Sequence, residues 1–219
     1  MRASAAQSFL RSPLTHLLAS GGHVRVLRAM LAYGAPLSVS QLAAECGMTS
    51  RGVRHVLDSL VGQGAVRVLG QPRAQLFAPE MGHPLLPAIG RLFAEERERW
   101  ESLQAGLREG LDAQKHIRSA WLYGSVSRGE DAPHSDMDLA LAVDTDAPDV
   151  TQDVRDAVRA LGDKLGVAIS AVVLAPADLA RFKPDDPWWT EVLRDARVLK
   201  GAAPSTEAAR AHKRVARLA

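Results

Sequence analysis

The sequence predicts an α/β (α+β) chain in two parts, and three observations lead there. Up to residue 62, apolar residues recur at spacings of three and four in three stretches separated by glycine and proline, the signature of amphipathic helices. Two short apolar runs then flank a Gly70-Gln71-Pro72 turn. Beyond residue 115, short apolar runs alternate with helical stripes, the pattern of a sheet with crossing helices. A length of 219 residues with 47% hydrophobic content allows one large domain or two small ones, each with a core.

The elements follow in order. From Gly22, Val24, Leu27 and Leu31, with Val26 and Met30, form one stripe, which Gly34 and Pro36 stop. Ser38 or Ser40 caps the next helix, which turns Leu42, Ala43 and Cys46 inward and ends at Gly47. Thr49 caps a third, carrying Val53, Val56, Leu57, Leu60 and Val61 and closed by Gly62 and Gly64. Ala65–Leu69 and Ala74–Ala78 read as two strands of a hairpin. A helix over about 85–111, roughly 40 Å long at 1.5 Å per residue, carries Leu85, Leu86, Ile89, Leu92, Phe93, Trp100, Leu103, Leu107 and Leu111 mainly on one face. That stripe must be buried on the chain itself or on a second copy.

Trp121–Tyr123 and Leu139–Val143 read as strands, Val154–Leu165 as a helix ended by Gly166, and Val167–Leu174 as a buried strand. Ala177–Phe182 and Trp188–Ala196 read as short helices around a loop with Pro184 and Pro187, and Arg197–Leu199 as extended. The Trp188-Trp189 pair reads first as a packing lid on the sheet, second as a surface for a base or a partner. Pro204–Ala219 is Ala-rich and basic, open to a frayed helix or a disordered end. The expected division is 1–82, a connecting helix 83–114, 115–203, and a basic tail 204–219.

The net charge of +2 hides a split: residues 1–80 carry +5, 81–120 carry 0, 121–200 carry −6 and 201–219 carry +3. A basic front suits a polyanion and an acidic middle suits divalent metal. Cys46, the only cysteine, excludes an internal disulfide and fits a cytoplasmic location. No apolar run reaches the ~20 residues needed to span a bilayer, so no membrane partner is expected. Residues 1–44 contain no acid, and Arg2, Arg11, Ser4, Ser8 and Ser12 give a faint targeting-peptide composition, but the stretch runs on into a folded domain.

Three helices followed by a hairpin make a winged helix-turn-helix, and Ser40–Leu57 resembles the core of bacterial winged-helix transcriptional regulators, with Gly47 in the turn. The resemblance implies that the third helix enters the major groove of double-stranded DNA. Its polar face offers Thr49, Ser50, Arg51, Arg54 and His55, and Arg73 and Arg67 on the hairpin reach the backbone or the minor groove. The plainer reading is a solvated face used for protein contact. Such regulators read paired half-sites, which implies a homodimer.

The sharpest motif lies further on. Gly124-Ser125 follows an apolar strand, and ten residues later Asp136-x-Asp138 opens another. A Gly-Ser turn presents backbone N–H groups and a hydroxyl to phosphate oxygens. Aspartates at i and i+2 of a strand share a face and together suit a hard divalent cation. Gly124-Ser125, Arg128-Gly129 and Ser135-Asp136-x-Asp138-Leu139 resemble the signature of the DNA polymerase beta-like nucleotidyltransferases, particularly the minimal bacterial ones, over roughly 117–200. The resemblance implies a small mixed sheet with helices on one side. It implies a nucleoside triphosphate held by Gly124, Ser125, Arg128 and Ser135, with Mg²⁺ or Mn²⁺ on Asp136 and Asp138, the catalytic pair. For Arg128 the alternative is a pairing with Glu130 or Asp131.

Active members carry a third carboxylate on a later strand. Here Ser170 takes that position, and no Asp or Glu occurs between Leu165 and Ala177. Two functions follow. One is a nucleotidyltransferase acting on a hydroxyl of a protein, small molecule or nucleic-acid end, delivered by the winged helix. The other is a transcriptional regulator, antitoxin or autorepressor beside a partner toxin, its impaired transferase domain serving as nucleotide sensor or partner-binding module.

Overall fold

The structure, a computed structural model, describes residues 9–183 and 185–218. Arg2, Ser4 and Ser8 of the acid-poor start, and Pro184, lie outside them. The chain forms two compact units, Met1–Glu98 and Arg99–Ala219. No helix among the described residues is long and apolar enough to cross a membrane.

The first unit begins with a short turn of helix, α1 (Leu14–Leu17). Three helices follow: α2 (Gly21–Tyr33), α3 (Val39–Cys46) and α4 (Ser50–Gly62). Ser38, rather than Ser40, caps α3, in a reciprocal arrangement with Gln41 that satisfies two end N–H groups at once. Thr49 caps α4 by accepting from the Gly52 N–H. The antiparallel hairpin β1 (Val66–Leu69) and β2 (Leu76–Pro79) runs in register from Val66↔Pro79 to Leu69↔Leu76. Leu37 adds a bridge to Phe77 through paired backbone bonds of 2.9 and 2.8 Å. Leu27, Met30, Leu42, Leu57 and Leu60 are fully buried at the centre. Each contributes about 2 kcal/mol relative to an exposed side chain.

The helix α5 (Leu86–Asp112) spans the boundary between units. Leu86, Ile89 and Phe93 join the first core; Trp100, Leu103, Leu107 and Leu111 join a core of the second. Most of the long stripe therefore packs within the chain itself, although Leu92 stays exposed. Arg28 of α2 holds the first half through a two-pronged pair with Glu96, at 2.8 and 3.0 Å, and lies over the Phe93 ring. In the second half Gly106 and Gly110 face α7 so closely that a Cβ at Gly106 would sit 2.8 Å from Leu165 and one at Gly110 would overlap Leu161. The last turn is closed by Lys200, whose Nζ donates to the carbonyls of Leu111, Asp112 and Gln114.

The rest of the second unit runs β3 (Ile117–Tyr123), α6 (Gly124–Arg128), β4 (Met137–Val143), α7 (Pro148–Leu165), β5 (Ile169–Leu174), α8 (Pro176–Leu179), α9 (Pro187–Asp195), β6 (Arg197–Lys200) and α10 (Pro204–Leu218). The sheet order is β5-β4-β3-β6, parallel between β4 and β5 and antiparallel elsewhere, hence mixed.

Helices cover both faces, not one. Leu122, Leu139 and Leu141 pack against α5 and α7 through Leu107, Leu111, Val154 and Val158. Trp121, Tyr123, Ala140 and Ala142 pack against Leu179, Trp189, Val192 and Ala211 of α8, α9 and α10. The central strands are apolar on both faces, so both must be covered. Where a basic tail was expected, α10 places Pro204, Glu207 and Ala211 inside. The fully buried Glu207 carboxylate pairs with Arg118 and Arg210 and accepts from the Ser119 hydroxyl at 3.1 Å. Three donors make burial of that charge tolerable.

Candidate functional site

The Gly124-Ser125 pair opens α6 directly off the end of β3. Asp136 lies just before β4, and Asp138, on it, is the register partner of Tyr123. Sequence neighbours ten residues apart are thus brought side by side. The contact is close: Gly124 has φ +72°, and a Cβ there would sit 2.5 Å from Asp138 Oδ2. Only glycine satisfies both the backbone and the space.

Asp136 is exposed and Asp138 half-buried. Burial pushes the Asp138 carboxyl above the usual carboxylate range; the charges of Asp136 and Glu191 push the same way, and Arg128 opposes them. The pair therefore carries more negative charge than its surroundings neutralise. On the other side Ser170, exposed on β5, is the register partner of Asp138 in the parallel ladder and shares its face. Among the described residues no three His, Cys, Asp or Glu side chains converge as a metal site. Ser135 is tied into the approach to β4: its Oγ accepts from the Ala132 N–H and its own N–H donates to Ala132 O, both at 2.9 Å.

Arg128 pairs with Glu130 at 2.8 Å, as one of the two alternatives had it, and also with Glu191 at 3.4 Å and with Asp195. Its guanidinium is thus engaged by three carboxylates. Asp195 has its side chain 5% exposed and also accepts from Arg194 at 2.7 and 3.0 Å. The Arg194 and Arg128 hydrogen bonds pull its carboxyl down to about 2. Glu191 and Asp195 carry no sequence motif that marks them for this cluster. They lie more than sixty residues from Arg128, with no spacing rule to link them.

Next to the site, Trp188 Nε1 donates to Tyr123 OH at 3.1 Å, edge-on to that ring, and Phe182 stacks on Trp189 with centroids 5.0 Å apart. Trp189 is 4% exposed and Trp188 half-buried. The aromatic pair packs on the sheet, with only Trp188 partly open.

In the first unit, Thr49, Ser50, Arg51, Arg54 and His55 are exposed at the start of α4, and Arg67 and Arg73 are exposed on the hairpin and its loop. The Thr49 hydroxyl is already used as the cap. Among the described residues Arg51, Arg54, Arg67 and Arg73 make no ion pair, so their charge is free.

Residues 106–184 match the family model described as Polymerase beta, Nucleotidyltransferase. No curated protein matches the chain. Among solved structures, a toxin-antitoxin crystallised with AMP-PNP is 18% identical, covering 52% of this chain and 88% of its own, at a TM-score of 0.38. A mutant of the toxin-antitoxin MntA-HpeT is 16% identical with the same coverages and TM-score. A MarR family transcriptional regulator from Silicibacter pomeroyi is 25% identical, covering 39% of this chain and 59% of its own, at 0.31. Over residues 106–184, then, this chain carries a nucleotidyltransferase domain of the polymerase beta family.

Proposed function

We propose that the chain is a DNA-binding winged-helix protein whose nucleotidyltransferase domain takes up a Mg²⁺-bound nucleoside triphosphate and hands a nucleotide to a hydroxyl acceptor. The observation that carries this reading is the packing of Asp138 on Gly124, which builds the phosphate turn and the carboxylate pair against each other. Gly124 and Ser125 present backbone N–H groups and a hydroxyl to phosphate oxygens. Ser135 fixes the approach to Asp136.

The donor set of Asp136 and Asp138 fits Mg²⁺ or Mn²⁺: two carboxylates two residues apart whose negative charges push against each other, offering the hard oxygen donors that a divalent cation prefers. A divalent ion held there supplies charge neutralisation at the phosphates. In the transfer itself the acceptor oxygen bonds to the α-phosphorus as the bond to pyrophosphate breaks, and the acceptor proton leaves to solvent or a base.

Calorimetric titration of ATP, GTP, CTP and UTP with Mg²⁺ tests the site. Binding in wild type that is lost in Asp136→Ala/Asp138→Ala is expected. Equal binding in both, or in neither, defeats the reading.

Ser170 favours a second reading, in which the domain binds nucleotide without efficient turnover and the chain acts as a transcriptional regulator, antitoxin or autorepressor with a partner protein. A serine faces Asp138 where active members carry their third carboxylate. Installing it separates the two readings. If Ser170→Asp raises triphosphate consumption well above wild type across a panel of protein and small-molecule acceptors, the natural chain is the impaired form. If wild type already turns over and Ser170→Asp adds nothing, it is a transferase as it stands.

For DNA, the free charge of Arg51, Arg54 and Arg73 and the exposed start of α4 support major-groove binding to a promoter site by a homodimer. Removing Arg51 and Arg54 together should weaken binding at least tenfold. It should also lower the slope of log K against log salt by about 0.9 for each phosphate that is no longer neutralised. Unchanged affinity and slope would leave this surface for protein contact.

A further inference from the structure

We propose that Asp195 is a positioning residue for the phosphate-binding turn: it tethers α6 to the C-terminal end of α9 and so holds Gly124 and Ser125 against Asp138. The inference rests on the nucleotide-binding reading above.

The helix α6 has five residues. A helix that short has no stability of its own, so tertiary contacts must set its direction. On one side Val126 packs in the core shared with α5 and α7. On the other, two consecutive residues converge on Asp195. The Ser127 hydroxyl donates to the Asp195 backbone oxygen at 2.6 Å, and the Arg128 guanidinium pairs with the Asp195 carboxylate. That carboxylate is almost wholly buried and is locked a second time by Arg194. A buried acid with two arginines, next to a backbone acceptor used by the preceding serine, is a built anchor point rather than an incidental surface pair.

The charge balance around Arg128 points the same way. Arg128 and Arg194 bring two positive charges to Asp195, Glu191 and Glu130, which bring three negative ones. Arg128 is thus already engaged within a net-negative cluster, and we assign it the role of holding α6. Gly124, at the other end of α6, lies against Asp138. The tether and the carboxylate pair are thus joined through one short helix, and loosening one displaces the other.

The test uses the full-length protein and two readouts. Asp195→Asn keeps the volume and the Ser127 acceptor but removes the charge. Without nucleotide, amide hydrogen exchange over residues 124–130 should speed about tenfold in Asp195→Asn, with the exchange of α7 unchanged. The dissociation constant of Mg²⁺-ATP should rise about tenfold in Asp195→Asn and about as much in Arg128→Met. In the double variant the two effects should not add, because Asp195 acts through Arg128.

Tighter or unchanged nucleotide binding in Asp195→Asn, alongside weaker binding in Arg128→Met, would mean that Arg128 is a direct phosphate ligand and would overturn the proposal. Unchanged exchange over 124–130 overturns it also. If Asp195→Asn does not fold, Ser127→Ala removes the other half of the tether with the charges intact. It should speed the same amides by a few fold, and no change there is equally decisive. Should wild type bind no nucleotide at all, the function proposed above fails. The exchange measurement then still decides whether Asp195 holds the turn.

Discussion

The two units handle charge in opposite ways. The N-terminal unit buries polarity in neutral form: His23, 6% exposed, sits between the hydroxyls of Ser20 and Ser59 at 2.9 and 3.2 Å. Its arginines stay outside, and among the described residues only Arg28 has a carboxylate partner. The C-terminal unit buries charge. Glu207 and Asp195 are enclosed carboxylates, each with two arginines. Asp138, half-buried, has Asp136 and Glu191 among its charged neighbours. Within one unit, two acids serve structure because they are compensated, and the one proposed to meet a cation is not. A neutral interior with free arginines outside suits a polyanion; an ionic interior with one uncompensated pair suits a metal.

Glu207 carries the largest expected effect. Glu207→Ala leaves Arg118 and the Ser119 hydroxyl without their partner beneath α10. Removing one member of a buried pair costs about 3 kcal/mol here, the low end of the usual range, because Arg118 and Arg210 are partly solvated. Denaturant melts should show the C-terminal unit destabilised by that amount and the N-terminal unit untouched. A loss below ~0.5 kcal/mol would mean that burying this charge contributes nothing to the fold.

Gly124→Ala comes next. The added methyl meets Asp138 and forces a left-handed residue to carry a side chain, at a cost of about 1–2 kcal/mol for the backbone alone. Nucleotide affinity should fall far more than stability, since the overlap is with a carboxylate of the site. Calorimetry and thermal melting on the same sample separate the two. Equal losses would place Gly124 in the fold only.

Lys200→Met sharpens the contrast at smaller scale. It keeps the stem and removes the ammonium that closes the end of α5. A loss of about 1–2 kcal/mol is expected from charge-assisted bonds at a helix C-terminus. It should be confined to the C-terminal unit, and hydrogen exchange at residues 108–114 reads it directly.

Much of this was legible in the sequence. The helices of the first unit end where glycine and the capping residues Ser38 and Thr49 place them, because capping is local chemistry. The Gly-Ser and Asp-x-Asp motifs come to lie side by side, as their short separation allows. The register of β4 and β5 sets Ser170 opposite Asp138, at the place expected for the absent carboxylate. What escaped is non-local. Glu207 meets Arg118 and Ser119 almost ninety residues away, and Asp195 meets Arg128 across sixty-seven. A basic Ala-rich stretch gives no periodic warning that its single acid will be buried. The second covered face of the sheet was missed for the same reason, since α10 reads as a tail until Glu207 finds its partners. Gly106 and Gly110 had a readable four-residue spacing, but only the structure shows α7 lying against them.

The smallest expected effect is at His23, in the neutral interior of the N-terminal unit. Burial holds the His23 imidazole below its ordinary value of 6.5, and the nearby His55 adds to that. Ser20 belongs to the start of α2 and Ser59 to α4, so the ring links two helices through hydroxyls, and no carboxylate pairs with it in the described residues. The unfolded chain therefore binds a proton at His23 more readily than the folded unit does. Stability from this group is complete above pH 6.5 and declines as pH falls through 6.5 toward the lowered folded value. Melting of the N-terminal unit should drop between about pH 7.5 and 5.5, while Asp195, already ionised above about 2, contributes no slope to its own unit over that range. His23→Gln keeps a polar side chain between the two serines and removes the titration, so its melting temperature should vary less with pH than that of wild type. A pH slope that survives the substitution intact would show that His23 is not its origin.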